Sequence, residues 1–391
     1  MSDMQADAVM DEAHQATGLS DFGSPTFREG LDAYCSAVVA EAQLNDLGDV
    51  AVRANVVGNL ANRLKVVDWV QRHPDGADEV IEAPIFVIGM FRAGTTLLSY
   101  LLEQDRLNRA LLLWESSDSV PPPTPETHRQ GPRVDAARAN GQMMDMLNPD
   151  LAAVHHEEAD GPTECIAVMS QEFKSLLWEA IANVPSYAQW LQAVDQRSAY
   201  EYHRMTLGVL QQGGVRGRWT LKSPHHALAL EALIDVYPDA RLVLLHRDPV
   251  VLSASVCSLI TTLSGTFTDT DHSAYIAEHW TGVLEESVRR IEVFRASHPD
   301  RRIVDVHYAD LVRDPVNTVS SIYAALGDPL KDEARAAMTS YMAAHPKGEF
   351  GAHTYDIASF GLNPAELSER FADYVSRYDI PAEHAAGEAE T

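Results

Sequence analysis

The stretch APIFVIGMFRAGTTLLSYLLEQD, residues 83–105, constrains the fold more than any other part of the chain. It begins with an apolar run rich in β-branched residues, the composition of a strand covered on both faces. From Thr95 onward, Leu97, Leu98, Leu101 and Leu102 fall on one face of a helix. Between the two, Gly89 and Gly94 have the spacing of the phosphate loop G-x-x-x-x-G-K-[ST]. A glycine turn between strand and helix aims backbone N–H groups and the helix N-terminus at one point, where an anion can sit. The lysine of that motif is missing, however. Thr95 takes its place, and the cation is Arg92, inside the loop. In nucleoside triphosphatases the lysine reaches the β- and γ-phosphates and the Ser/Thr holds Mg²⁺. No strand ending in a metal-binding Asp is evident here either. The loop therefore suits a phosphate group without a γ-phosphate or a metal. Its bland alternative is a turn that merely joins strand to helix.

The rest of the chain extends the same pattern. Strands are expected at 218–222, 241–246 and 302–308, with helical periodicity at 225–237, 249–263 and 272–297. Continuous apolar strands alternating with helices predict a parallel α/β sheet covered on both faces. Residues 1–82 read as a helical extension packed on a main domain over 83–391. Its helices lie in SPTFREGLDAYCSAVVAEAQL and DVAVRANVVGNLANRLKVVDWVQRH, and Pro74, Asp75 and Gly76 break the second. Residues 112–150, with VPPPTP, read as a long irregular connection of the kind that forms lids or substrate walls.

Charge and composition exclude several classes of function. A formal net charge of −27 disfavours nucleic acid and anionic lipid surfaces, so an anionic nucleotide must meet a local cluster of positive groups. No apolar run approaches the roughly 18 residues of a membrane span. The acidic, polar start is unlike a secretory signal. Cys35, Cys165 and Cys257 lie far apart with no C-x-x-C, which suits a reducing cytoplasm and predicts neither disulfides nor zinc. HHEEADGPTEC, residues 155–165, suggests a metal cluster at first sight, but its adjacent histidines and adjacent glutamates do not converge on one helix face.

Two further segments carry chemistry. In VLLHRDPVVLSASVCSL, Arg247 follows a buried strand and Ser255 lies in the helix beyond it, a pair suited to a second phosphate. In WTLKSPHHALALEAL, Lys222, His225 and His226 stand at another strand end, where ligands collect in open α/β sheets.

Taken together, these motifs resemble the PAPS-dependent sulfotransferases, in the bacterial branch related to tyrosylprotein sulfotransferases. FRAGTTLL resembles the family's 5′-phosphosulfate loop, and HRDPVVLSASVCSL its 3′-phosphate segment. LKSPHH resembles the K-x-P-x-H of this branch, VHYADLVRDPVNTV its Y-E-D-L…D-P stretch, and GAHTYDIASFGL its C-terminal signature. TGLSDFG and the helices after it resemble the N-terminal extension, so the likeness spans nearly the whole chain. It implies a phosphate-loop-like sulfotransferase fold and transfer of a sulfuryl group from PAPS (3′-phosphoadenosine 5′-phosphosulfate) to a hydroxyl acceptor, without metal. By the resemblance, Arg92, Ala93, Gly94, Thr95 and Thr96 hold the 5′-phosphate, Arg247 and Ser255 the 3′-phosphate, and Tyr308 lies near the adenine. Lys347-Gly348 resembles the R-K-G phosphate contact of cytosolic members only faintly, with Pro346 in the arginine's place. Phe91 stands where the family has proline, and Leu97 where cytosolic members have an adenine-stacking tryptophan.

Arg92 and Lys222 are the cations expected to stabilise the leaving phosphate. Two residues compete for the role of base. His226 matches the branch's histidine, and Glu115 resembles the glutamate that serves as base in tyrosylprotein sulfotransferases. Imidazole suits neutral pH, whereas a carboxylate gains basicity only through burial. Glu164 falls on a P-x-E of the branch and is either structural or acceptor-facing. The expected partner is a small-molecule hydroxyl acceptor, with a homodimer left open. Two alternatives stay in view: a phosphate-loop kinase or other phosphotransferase, against which Thr95 argues, and an inactive nucleotide-binding module.

Overall fold

The computed structural model describes residues 4–74, 79–150, 157–345 and 357–383. Pro346, Lys347, Gly348, His155, His156 and the first half of GAHTYDIASFGL lie outside them. Five strands, β1 (Ile85–Gly89), β2 (Asn108–Ala110), β3 (Arg218–Ser223), β4 (Arg241–His246) and β5 (Ile303–His307), form one sheet in the order β2-β3-β1-β4-β5. All four pairings are parallel. β1 is buried throughout, and β3 and β4 are buried after their first residue, as expected of strands covered on both faces. The edge strand β5 alternates instead, turning Asp305 outward between buried Val304 and Val306.

Helix α4 (Thr95–Glu103) follows β1 after the glycine turn and buries Leu98, Leu101 and Leu102 against the sheet. Because the strands are parallel and in register, their C-terminal ends share one edge. Gly89 is level with Leu245, Ile88 with Ser223, and His246 with His307. The expected helix over 225–237 is a 3₁₀ turn, Pro224–Leu228, and then a helix, Leu230–Val236, since Ala229 between them is non-helical. The connection over 112–150 is more ordered than its prolines suggest: it holds α5 (Leu113–Ser117) and α6 (Pro132–Leu147).

The N-terminal helices α1 (Ala6–Thr17), α2 (Phe27–Glu41) and α3 (Asp46–Arg72) share one hydrophobic cluster with the helices Pro249–Gly265 and Ser273–Ser297. Arg63 on α3 ties the N-terminal helices to the turn at Ser170–Glu172. Its buried guanidinium donates to Glu172 Oε2 at 2.6 Å and to the carbonyls of Phe22, Ser24 and Gln171. It also lies between the rings of Phe27 and Tyr202.

Candidate active site

Four neighbouring strand ends supply the site. After β1 the chain turns through Arg92, at φ +67°, and Gly94, at φ +96°, before α4 begins. The first N–H groups of a helix have no intrahelical acceptor, so α4 presents donors where the turn opens. Thr95 and Thr96 stand in that first turn. Ala93 is different: its N–H bonds the Met90 carbonyl at 3.2 Å and its methyl is buried, so it shapes the turn. Gly94 is obligatory twice over. Beyond its positive φ, an added Cβ would lie 2.6 Å from Tyr308 Cδ2.

Tyr308, the first residue after β5, also carries the guanidinium of Arg247 over its ring, at 3.9 Å from the centroid. Arg247 follows β4 directly. Its Nη1 donates to the Arg92 carbonyl at 2.8 Å, which ties the second grip to the loop. Ser255, two turns into the helix Pro249–Gly265, receives a long 3.4 Å bond from Arg92 Nε. Thus Arg92, Gly94, Arg247, Ser255 and Tyr308 form one contiguous group. The Arg247 fork is paired with the carboxylate of Glu383, through Nε at 2.9 Å and Nη2 at 2.8 Å.

The loop forms one wall of a cavity of about 1250 Å³. Arg92, Gly94, Thr95, Thr96, Arg247 and Tyr308 all border it. The opposite walls are apolar: Met143 and Met144 of α6, Ala180 and Ile181 of the helix Leu177–Ile181, and Ile260 and Leu263. Phe91 borders it too and packs edge-on against Trp280. Several carboxylates line the cavity, among them Asp145, Glu158, Asp160 and Glu164.

A phosphate loop without its lysine, facing an apolar cavity, invites comparison with known proteins. Residues 84–332 match the family model described as "Sulfotransferase family". The chain belongs to the sulfotransferase family. The crystal structure of sulfotransferase STF9 from Mycobacterium avium superposes with a TM-score of 0.90 at 34% identity, covering 97% of this chain and 98% of that one. Sulfotransferase STF1 from Mycobacterium tuberculosis gives 0.84 at 33% identity, over 94% and 98%. A more distant relative is the omega-hydroxy-beta-dihydromenaquinone-9 sulfotransferase Stf3 of Mycobacterium tuberculosis, 25% identical over 316 residues, 76% of each chain. The sulfotransferase fold, with its N-terminal helices, thus holds for this chain over nearly its whole length.

Both expected bases of this sulfotransferase are walled off from the cavity. Glu115 is fully buried. Arg109 Nη2 donates to it at 2.7 Å, Leu112 N–H caps it at 3.1 Å, and His128 Nε2 stands 3.4 Å away. Burial alone would raise its pKa, but Arg109, with His128 and the Leu112 N–H, outweighs burial and holds the carboxyl below its usual value. The expected gain in basicity is therefore reversed: Glu115 is the buried partner of Arg109 and the N-terminal cap of α5. His226 is also fully buried, its Nδ1 2.8 Å from the Tyr200 hydroxyl and its ring edge-on to Phe86. Burial and the neighbouring His203 and His225 push its pKa well below the ordinary histidine value. Neither side chain borders the cavity, so neither can meet an acceptor there.

Lys222 is buried near the end of β3, with Nζ 3.3 Å from Glu164 Oε1. Residues 162–165 run along the outer side of β3: Glu164 bridges Lys222, and Cys165 N–H bonds the Lys222 carbonyl at 2.9 Å. That pairing turns Glu164 to the cavity. Sequence reasoning left Glu164 undecided and missed Glu383 altogether. The first follows from a strand-like contact between residues 58 apart in the chain, the second from one spanning 136, and neither is periodic.

Proposed function

We propose that the protein transfers a sulfuryl group from PAPS to the hydroxyl of a largely apolar small molecule. The observation that carries this reading is a shared wall: the lysine-free phosphate loop is one side of the 1250 Å³ apolar cavity. The anionic half of the donor and the hydroxyl of the acceptor can meet there.

On this reading, Arg92, Thr95, Thr96 and the α4 N-terminus hold the 5′-phosphosulfate, while Gly94 and Ala93 give the turn its shape. Arg247 and Ser255 take the 3′-phosphate, and Tyr308 faces the adenosine. Negative charge grows on the bridging oxygen as the S–O bond breaks. Arg92 borders the cavity and Lys222 lies just behind its lining, against Glu164, and these are the two cations assigned to the charge as it develops. The donor set contains hydroxyls, guanidinia and an ammonium, which suit anionic phosphates rather than a metal ion. A cavity walled by Met143, Met144, Ile181 and Ile260 suits a long apolar acceptor better than a sugar. The relative named for a hydroxylated menaquinone points the same way.

The test is incubation with PAPS in EDTA, with matched panels of apolar alcohols, phenols and sugars, read by mass spectrometry for a gain of one SO₃. Sulfation of the apolar alcohols without added metal is expected, with sugars at least tenfold poorer. Transfer of phosphate from ATP in place of sulfate from PAPS would overturn the assignment.

A further inference from the structure

We infer that Glu164 is the residue that takes the acceptor's proton. This rests on the sulfuryl-transfer reading and assigns its missing base. Glu164 borders the same cavity as Arg92, Thr95 and Thr96 and is 17% exposed at its side chain. The two carboxylate and imidazole candidates behind it, Glu115 and His226, are sealed from that cavity.

Its position is fixed by backbone, not by a flexible loop. Thr163 N–H bonds the Leu111 carbonyl at 2.8 Å, and Cys165 N–H bonds that of Lys222 at 2.9 Å. The residue between them is therefore held at the strand ends, beside the phosphate loop. Lys222, 2% exposed, sets its ammonium 3.3 Å from Glu164 Oε1. An ammonium has three donors, so Lys222 can keep Glu164 and also reach the bridging oxygen. In the transfer, the acceptor oxygen forms a bond to sulfur while the bond from sulfur to the 5′-phosphate oxygen breaks. The acceptor's proton passes to Glu164, and the electron pair of the broken bond stays on the departing 3′,5′-ADP beside Lys222 and Arg92.

The experiment compares Glu164→Gln with wild type over phenols of graded acidity and an aliphatic alcohol. A proton acceptor matters most when the acceptor's own acidity is low. The aliphatic alcohol should lose about 10²–10⁴ in kcat, and the most acidic phenol less than about tenfold. Retained phenol turnover shows that the variant is folded and that PAPS is still used. An equal loss across the series, or none, overturns the role of Glu164. Failure of the wild type to sulfate any acceptor overturns the sulfotransferase reading instead.

A separate observation concerns Arg247. The geometry points to Glu383 as a carboxylate that occupies the place of the 3′-phosphate, so that nucleotide binding displaces the C-terminal segment. Glu383 engages the Arg247 fork through both oxygens, and its own N–H bonds Asp248 Oδ2 at 2.8 Å. It thus holds the Arg247 edge that a phosphate needs, with Tyr308 behind the guanidinium. The pair is only partly buried, which limits what the contact is worth. In calorimetry, Glu383→Gln should bind 3′,5′-ADP about fivefold more tightly and 5′-AMP unchanged. Unaltered 3′,5′-ADP affinity overturns the displacement. Equal wild-type affinity for 3′,5′-ADP and 5′-AMP would instead remove Arg247 from the 3′-phosphate site.

Discussion

Glu115 and Arg109 form an ion pair from which solvent is excluded on both sides. Arg109 also lies over the Trp219 ring, at 4.2 Å, so its charge has few other outlets. Removing one charge of such a pair leaves the other buried and uncompensated. Glu115→Gln should therefore destabilise the protein by about 3–5 kcal/mol, seen as a lower denaturant midpoint. The same variant should keep the wild-type ratio of alcohol to phenol turnover, in contrast to Glu164→Gln. A changed ratio would return the base to Glu115. At this scale the sequence named the right residue types in the right region but could not tell an enclosed carboxylate from an accessible one. Glu115 stands between Trp114 and Ser116 and Glu164 between Thr163 and Cys165, neighbours that do not tell the two apart. Only contacts made across the chain, Arg109 to one and Lys222 to the other, separate them.

Four strands and the turns after them do most of the positioning. The β1–loop–α4 unit was legible because its signals are local: an apolar run, two glycines and a leucine face. The ends of β3, β4 and β5 were legible for the same reason: Lys222 stands next to last in β3, and Arg247 and Tyr308 follow β4 and β5 at once. What a local pattern could not supply was the order β2-β3-β1-β4-β5, which brings those ends side by side. Nor could it show that Gly94 is pinned by a ring 214 residues later, through the approach of Tyr308. The short strand β2 was missed because three residues, Asn108–Ala110, give too little alternation to recognise. α6 was missed for another reason. Only Val134 of its residues is buried, since one side faces a cavity and not a packed core, so its alanines and methionines do not fall into the single apolar stripe that marks a core helix.

The stability of the molecule should depend on pH through its enclosed histidines. Burial pushes His203 down to about 3, and burial with the charge of Arg290 does the same to His225. The unfolded chain takes up protons near the ordinary value of about 6.5. Below that pH the unfolded state binds more protons than the folded one, so stability is present above 6.5 and is lost as pH falls toward 3. At pH 5.5 the two together should cost about 3 kcal/mol relative to pH 7.5. Thermal unfolding at the two pH values measures this, and a Tm that does not fall would show that these histidines are protonated in the folded state. The histidines serve the fold in this account, which is why His226 reads as a catalytic residue in a motif and as a core residue in three dimensions.

By itself, the sequence determined the strand–loop–helix, the parallel sheet, the helical extension and the family resemblance. All of these depend on neighbours in the chain or on short motifs in order. The tertiary structure decided which titratable groups meet the cavity. Burial and charge pairing are set by residues far apart in the chain: Lys222 beside Glu164, Arg109 against Glu115, and Glu383 on Arg247. The same carboxylate is a cap, a base or a stand-in for phosphate according to which cation the fold brings to it and how much water is left beside it.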